Sequence, residues 1–551
     1  MRWLSLILSP NIYIGKRYAC LYNMIVKDCR RMARGASRET KFARVTLWHK
    51  LVPALILLTA IRVQSAVIPA ASMSRSDVGA AVALTQDGDT VIIPAGTVQW
   101  TNTLNITNAI TLEFSGIGQS IIQDYIIAPR GMSDEGVIDF VTTSNKAYRL
   151  TGLEIDRGLV RTTNLFDNGA IEIFGYTTAF RVDNCAFNGI YNTGIYPWDA
   201  ACGVIDHCVF NLSGDPHGIF IYHDKWANGT FGDGAWDTPV AWGSSNAVYV
   251  ESCAFTNNSV YPWSVLDCFA GAHFVFRYNT VVNGFVTDHG TESGGLYRGP
   301  RSFEVYGNTF LMSNDYPNAL SFRGGTGVIW SNTAKGYTEF GSLSAYRCSD
   351  IYQNWGAAQG TNTLDMCATN GPFLTVTHTG TNKSPMLVVA GANWSINQWK
   401  GYSVIDISEP GASTNFAMIR SNNATTACFI TPETRGNTVF NNGDTVVFYQ
   451  VLSARDMPGM STGPPVTRNS TTFVPILPWP AQQIEPIYCW NNTLDGVPAN
   501  LVANYPVIVQ GIHWTNGVVK PGYIPLIFPH PLISGVTIPL PPSNLRVAGS
   551  P

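Results

Sequence analysis

The sequence predicts an all-β solenoid of the parallel β-helix type, and three observations lead to that class. A short phrase returns six times, first as FRVDNCAF ending at Phe187 and then as GVIDHCVF ending at Phe210. Aligned on their sixth residues, the copies are separated by 23, 45, 26, 29 and 24 residues, and periods of 20 to 50 residues are typical of stacked repeats. Within each copy, apolar or small residues alternate with polar or variable ones, as in a strand with one buried face.

The spacing of the phrase decides between repeat architectures. A strand followed by roughly two dozen residues leaves room for two more short strands and three turns. A helical crossover in every rung hardly fits. The spacing therefore favours a parallel β-helix over a horseshoe or a propeller.

The residue that follows each strand forms a column of Cys and Asn: Cys185, Cys208, Cys253, Asn279, Asn308 and Asn332. Asn is well suited to a left-handed bend, and stacked Asn side chains can hydrogen-bond from rung to rung. Free Cys is among the most buried residue types, so the Cys side chains are expected to face inward. That direction requires the bend to reset the alternation of the strand.

The phrase, together with GDTVIIPAGT at residues 88–97, resembles the right-handed parallel β-helix (pectate-lyase-like) superfamily of secreted bacterial polysaccharide-active proteins. The resemblance covers roughly residues 75–365 and again 485–500, where IYCWNNTL repeats the phrase. It implies a right-handed coil and export. It is specific for the fold and much less so for a reaction, because many activities and some non-enzymes share such coils.

Five segments are predicted along the chain. They are a leader with an export signal (1–66), a parallel β-helix (67–370), an inserted small β-module (371–452), returning β-helix coils (453–536) and a Pro-rich tail or linker (537–551). The leader is inferred from LVPALILLTAIRVQSA, a short apolar run that follows Lys and Arg residues and ends at small residues near Ala66. We therefore expect a secreted protein, extracellular or periplasmic.

Composition limits the partners. The formal net charge of −3 provides no broad basic field, so nucleic acid is not an expected partner. No stretch after the leader approaches 18 uninterrupted apolar residues, so no membrane span is expected in the mature chain, which we predict to be a monomer.

Nine Cys follow the leader, an odd number, so at least one is unpaired; a bridge between Cys348 and Cys367 remains open.

One candidate site is a charge ladder on the outward face of the phrase strands. Alternation stacks Asp183, Asp206, Glu251, Arg277 and Tyr306 on successive rungs. Ca²⁺ prefers several hard oxygen ligands, so Asp206 and Glu251 are predicted to bind an optional calcium ion. The ion would in turn bridge to an acidic sugar. The alternative is a solvated charge ladder without a metal.

A second recurring strand yields the stronger candidate. Aligning Ile195, Ile219, Val265, Thr291 and Leu320 brings two columns of polar side chains onto neighbouring rungs. The first column contains His217, Trp263 and His289. The second contains Glu292, and Arg323 lies one rung above it. These residues are predicted to share one flank of the coil.

The densest polar stretch, DHGTESGGLYRGPRSFE, lies at residues 288–304. Arg298 and Arg301 are predicted to pair with a carboxylate of an acidic sugar, which acidifies the adjacent ring proton. His289 or His217 would act as base or acid, and Glu292 would orient a His. The alternative is a turn network in which the two Arg tie carboxylates of the protein together.

The insertion from Tyr222 to Trp242 carries further candidates for substrate binding. Aromatic side chains that flank a groove can stack on sugar rings. The residues predicted to bind substrate are Tyr222, His223, Lys225, Trp263, Asp267 and Arg323. A loop with its own small core is the alternative for this insertion.

The function predicted from these residues is a secreted lyase that cleaves an acidic glycan by β-elimination. The first alternative is a glycoside hydrolase in which Glu292 and Asp267 supply the two carboxyl groups. The second is a glycan-binding or surface β-helix without catalysis. The paired Asp, Gly-His-Gly and Arg-x-Lys of pectin-hydrolysing relatives are only echoed by PHG at 216–218 and DHG at 288–290, so no family catalytic residue is carried over.

Overall fold

The computed structural model describes residues 65–126, 136–143, 146–158, 165–189, 192–213, 217–258, 264–291, 296–313, 316–346, 374–408, 416–430, 439–450, 454–473 and 482–534. The predicted export signal, Cys348, Cys367 and the Pro-rich tail lie outside these ranges. Helices in the described part are short: α1 (Arg75–Val82), α2 (Asp233–Trp236), α3 (Pro531–Ser534) and a 3₁₀ turn at Trp226–Asn228. None of these helices combines the length and the hydropathy that crossing a bilayer requires.

Thirty-eight strands, of 2 to 19 residues, make up the rest of the regular structure in the described ranges. The early rungs contain β1 (Val67–Pro69), β2 (Thr90–Ile93), β3 (Gly96–Trp100), β4 (Leu104–Ile106), β5 (Thr111–Phe114), β6 (Ser120–Asp124), β7 (Ile138–Thr142), β8 (Tyr148–Thr151), β9 (Glu154–Arg157), β10 (Leu165–Asp183), β11 (Ala186–Asn188), β12 (Asn192–Pro197), β13 (Ala200–Asp206) and β14 (Val209–Leu212). The middle rungs contain β15 (Ile219–Tyr222), β16 (Val248–Glu251), β17 (Ala254–Asn257), β18 (Ser264–Phe269), β19 (His273–Arg277), β20 (Thr280–Val282), β21 (Phe285–Thr287), β22 (Ser302–Tyr306), β23 (Thr309–Leu311), β24 (Asn318–Phe322), β25 (Thr326–Trp330), β26 (Thr333–Lys335) and β27 (Glu339–Leu343). The remaining strands are β28 (Leu374–Thr377), β29 (Leu387–Val388), β30 (Tyr402–Asp406), β31 (Phe416–Asn422), β32 (Thr426–Phe429), β33 (Thr445–Gln450), β34 (Ile487–Trp490), β35 (Asn492–Leu494), β36 (Val497–Ala499), β37 (Leu501–Ala503) and β38 (Trp514–Asn516).

The strands coil into a right-handed parallel β-helix with three sheets, which confirms the predicted fold class. The first sheet contains the phrase strands in the order β1–β2–β5–β8–β10–β13–β16–β19–β22–β25–β34–β38. The second follows the bend, in the order β3–β6–β9–β11–β14–β17–β20–β23–β26–β35–β36. The third closes each rung, in the order β4–β7–β10–β12–β15–β18–β21–β24–β27–β37. The strand predicted as the second of each rung is thus the third, because three or four residues after the bend already form a strand.

The bend lies one residue earlier than predicted. Left-handed φ angles belong to the residues before the Cys and Asn column, namely Asn184, His207, Ser252, Tyr278, Gly307, Ser331 and Asn491. The Asn column instead forms the predicted hydrogen-bonded ladder: each side-chain Nδ2 donates to the next Oδ1, over 3.2 Å from Asn279 to Asn308 and 2.9 Å from Asn308 to Asn332. Cys185, Cys208 and Cys253 are buried in the core, so the bend does reset the alternation of the strand.

The inserted module is an antiparallel sheet in the order β28–β33–β30–β31–β32–β29. It has its own apolar core around Val404, Ile419 and Phe448. After the module the coil resumes on the first sheet, because β34 pairs in parallel with β25, the last first-sheet strand before the insertion, and places Trp490 against Trp330. The module is therefore an insertion within one rung that has its own apolar core and also contributes Met418 to the main core.

Candidate functional site

The third sheet positions the candidate site, with a register that differs from the predicted one. Ile219 pairs with Leu266, and Leu266 pairs with Val286, whereas the sequence alignment used Val265 and Thr291. Asp267 therefore lies beside Phe220 on the outer face of the coil. The DHG segment follows the end of β21 and does not form a strand in that column.

Asp267 is the centre of a polar cluster on this outer face. Its Oδ2 lies 3.1 Å from His289 Nε2, 3.8 Å from His217 Nε2 and 4.0 Å from Arg323 Nη2. Its Oδ1 accepts a hydrogen bond of 2.7 Å from the Cys268 backbone N–H. The structure thus brings together four residues that the sequence predicted for the site: His217, Asp267, His289 and Arg323.

Two residues that the sequence analysis did not propose complete this cluster. Ser264 Oγ lies 2.6 Å from His217 Nδ1 and holds that imidazole from the side opposite Asp267. The buried Asp288 carboxyl group accepts a hydrogen bond from the Arg323 backbone N–H. Ser264 was detectable, because it stands two residues before Leu266, as His217 stands two residues before Ile219. Glu292 and Trp263 lie outside the described residues.

Burial and the neighbouring charges shift the pKa values of these groups in opposite directions. Burial alone would raise the pKa of Asp267, but His289, His217 and Arg323 outweigh it and hold the pKa well below its ordinary value. Burial lowers the pKa of His217 to about 4, against the opposing charge of Asp267. Burial also raises the pKa of Asp288 well above its usual range. At neutral pH the cluster therefore holds an ionised Asp267 against a neutral His217.

Solvent reaches two members of the cluster. The side chains of His289 and Arg323 are 21% and 14% exposed, whereas those of His217 and Asp267 are 4% and 2% exposed. Phe220 packs against both imidazoles, with ring centroids 5.2 Å from His217 and 6.2 Å from His289. A ligand at this surface would therefore meet an imidazole held by a carboxylate, next to a guanidinium.

The buried His217 makes stability depend on pH. Its pKa is lowered to about 4 from an ordinary value near 6.5, so the unfolded chain binds more protons between these values and stability falls as the pH decreases. We expect His217→Gln to reduce the slope of unfolding free energy against pH in this window, by at most about 1.4 kcal/mol per pH unit. His223 and His530, whose pKa values burial also lowers, leave a residual slope. Urea titrations from pH 4.5 to 7 measure both slopes, and equal slopes would contradict this assignment.

The structure does not place Arg298 and Arg301 where a substrate could reach them. Both are buried, and Arg298 donates to Asp456 through Nε (2.9 Å) and Nη2 (2.8 Å) and to Asp233 through Nη1 (2.8 Å). Arg301 donates to the Ala235 carbonyl oxygen over 3.1 Å. These contacts match the alternative of a network that ties carboxylates of the protein together. They join the Tyr222–Trp242 insertion to the chain around Asp456.

The insertion residues separate into buried and exposed groups. Tyr222 is covered by Tyr297, with ring centroids 5.4 Å apart. His223 is buried, with Nε2 3.0 Å from the Ala201 carbonyl oxygen and Nδ1 accepting a hydrogen bond of 3.2 Å from the His273 N–H. Burial lowers the pKa of His223 to about 4. Of the three insertion residues predicted to bind substrate, only Lys225 is substantially exposed, at 43% of its side chain.

The two carboxylates that were predicted to bind calcium already form ion pairs with Arg side chains. Asp206 accepts from Arg181 Nε and Nη2 at 2.8 and 2.9 Å, and Glu251 accepts from Arg277 Nε at 2.6 Å. The C-terminal segment covers this part of the first sheet, because Arg277 Nη1 donates to the Leu526 carbonyl oxygen over 2.7 Å. Within the described ranges no group of three or more His, Cys, Asp or Glu is arranged to hold a metal ion. Asp206 and Glu251 therefore do not fit a calcium site.

Comparisons with known proteins add little about function. No family model matches the chain, and no curated protein matches it. Among solved structures, ORF18 of Geobacillus virus E2 is similar over 72% of this chain and 76% of that one, with 15% sequence identity and a TM-score of 0.24.

Proposed function

We propose that this protein is an exported lyase that cleaves an acidic glycan by β-elimination at the outer face of the third sheet. The observation that supports this most directly is the contact of 3.1 Å between His289 Nε2 and Asp267, with Arg323 beside the same carboxylate. A partly exposed imidazole held by a carboxylate suits a general base. A neighbouring guanidinium suits the carboxylate of a uronic acid.

In this proposal Arg323 pairs with the sugar carboxylate and so acidifies the proton on the adjacent ring carbon. His289 takes that proton at Nδ1, a buried nitrogen that the substrate would have to uncover, while Asp267, which lies against Nε2, orients the ring and stabilises the imidazolium. The C–H electrons form a carbon–carbon double bond, the C–O bond to the next sugar breaks, and the imidazolium returns the proton to the leaving oxygen. The roles first given to Arg298 and Arg301 thereby pass to Arg323.

Membership of the pectate-lyase-like superfamily and secretion are parts of this proposal. The three-sheet coil and its Asn ladder support the first. The apolar run before Ala66 supports the second.

The proposal predicts an unsaturated product that absorbs in the ultraviolet when the protein is incubated with its glycan. The full chain should be screened against polygalacturonate, alginate, glycosaminoglycans and neutral glycans, with and without chelator. We expect absorbance to rise with an acidic glycan and to be unaffected by chelator, since Asp206 and Glu251 are occupied by Arg side chains. New reducing ends without absorbance would indicate hydrolysis instead.

A second candidate function is glycan binding without catalysis. Trp198 and Tyr297 are partly exposed aromatic side chains on the outer side of the third sheet, where they can stack on sugar rings. Retention on a glycan column with no product of either kind would favour this candidate over the lyase.

A further inference from the structure

An aromatic column runs across the rungs at the end of the third-sheet strands. Phe174, Trp198, Tyr222 and Phe269 occupy successive rungs there. Their ring centroids lie 5.3, 6.4 and 4.7 Å apart in that order, and Phe269 lies 6.1 Å from His289. The column therefore starts at the proposed catalytic residue and leads away from it along the coil axis.

The two ends of this column differ in exposure. Tyr297 covers Tyr222 and Phe269, at centroid distances of 5.4 and 5.8 Å. Phe174 and Trp198 remain partly exposed. Rungs lie about 4.8 Å apart, so Trp198 is about 10 Å from Phe269 along the axis. A single sugar unit is too short to span that distance, whereas an oligosaccharide can.

Polar groups surround the exposed end. The Lys225 N–H donates to the Asp199 carbonyl oxygen over 3.1 Å, which holds the two turns together. Lys225 Nζ lies 2.8 Å from Asp199 Oδ1 and 5.7 Å from the centre of the Trp198 ring. Asp224 lies in the same turn as Lys225. The Lys225–Asp199 ion pair thus adjoins a partly exposed indole, and the Asp224 carboxyl group interacts with that pair.

Two atoms in this group have unsatisfied hydrogen-bonding capacity. Trp198 Nε1 and Asp224 Oδ1 are buried and have no hydrogen-bond partner among the described residues. Buried polar atoms are rarely left in this state, because the lost hydrogen bond costs about 1–3 kcal/mol. Burial and the neighbouring Asp199 raise the pKa of Asp224 to about 7, so near neutral pH its carboxyl group can donate as well as accept. Sugar hydroxyls have the same dual capacity.

We propose that Trp198, Asp199, Asp224 and Lys225 form a subsite for a neutral sugar unit of the glycan. The sugar ring stacks on the indole face, as sugars do on Trp, and its hydroxyls bond to the two carboxyl groups. The sugar is neutral because Asp199 already pairs with Lys225 and a further carboxylate would meet two acidic side chains. The inference extends the proposed function by specifying a heteropolysaccharide that contains acidic and neutral units.

Affinity electrophoresis of the full chain in gels containing hydroxyethyl cellulose, galactomannan or polygalacturonate tests this subsite. We expect retardation in at least one neutral gel, a tenfold or greater loss of that affinity in Trp198→Ala, and a smaller loss in the isosteric Asp224→Asn. The matched control is Trp399→Ala, which removes a half-buried Trp from the inserted sheet and should bind as the wild type does. Thermal melts verify that each variant is folded.

Three results would overturn the subsite: no retardation of the wild type in either neutral gel, equal affinity of Trp198→Ala, or an equal loss in Trp399→Ala. Binding is measured without turnover, so the two proposals fail separately. A protein that forms no product but binds neutral gels through Trp198 has the subsite and lacks the lyase activity. A protein that cleaves polygalacturonate and ignores neutral gels has the activity and lacks the subsite.

Discussion

Replacing His289 by Gln is expected to reduce kcat/KM on the acidic glycan by roughly 10²–10⁴-fold, the usual contribution of a general acid or base. Gln keeps much of the volume of the ring and preserves a hydrogen bond to Asp267, but it cannot take a proton. The initial rate of ultraviolet absorbance measures the effect. The melting temperature should change little, because the imidazole is partly exposed.

The matched control for this variant is His207→Asn. His207 is 54% exposed, adopts a left-handed φ that Asn tolerates, and lies on the first sheet away from Asp267. We expect it to retain wild-type activity. If His289→Gln retained wild-type kcat/KM, His289 would not be the base, and the chemistry assigned to the third sheet would have to be abandoned.

Replacing Asp456 by Ala is expected to destabilise the protein by about 3–5 kcal/mol, because it leaves the buried Arg298 without its principal counter-charge. Asp456 accepts from Arg298 Nε and Nη2 and from the Gly299 N–H at 3.0 Å, and both side chains are essentially inaccessible. The change also frees the insertion from the chain around Asp456. Denaturant titration at pH 7 measures the loss.

An exposed ion pair provides the control for that loss. Lys146 and Asp87 lie 2.7 Å apart, with side chains 39% and 46% exposed, so Lys146→Ala should cost no more than about 1 kcal/mol. If Asp456→Ala also lowered the free energy of unfolding by less than about 1 kcal/mol, the contacts of Arg298 would not be stabilising the protein. Arg298 would then again be a candidate for substrate binding.

Much of the architecture was predictable because the repeat encodes it locally. Alternating apolar residues specify one buried face in every rung, and a Cys or Asn at a constant offset marks each bend, so period and class follow from the sequence. The sequence analysis placed the residue with a left-handed φ angle one position too late in each bend. The reason is that Asn279 and Asn308 resemble turn formers, whereas the turn itself is made by Tyr278 and Gly307.

The site was predicted in part. His217, His289 and Arg323 were expected on one flank, because residues one period apart lie on neighbouring rungs, and the structure places all three around Asp267, which had not been aligned with them. The contact between His289 and Asp267 was not foreseen. The DHG segment had been read as a strand, whereas it follows β21 and turns back towards β18, as the hydrogen bond of 2.8 Å from the His289 N–H to the Cys268 carbonyl oxygen shows.

By itself, then, the sequence determined the coil and its inward face, since short-range periodicity dictates both. Only the tertiary structure decided which charged side chains solvent can reach. Arg298 meets Asp456, 158 residues away, and Arg277 meets Leu526, 249 residues away. Such pairings depend on how loops and the C-terminal segment fold back over the coil. They leave Arg323 partly exposed where Arg298 is buried, although the two residues look alike in the sequence.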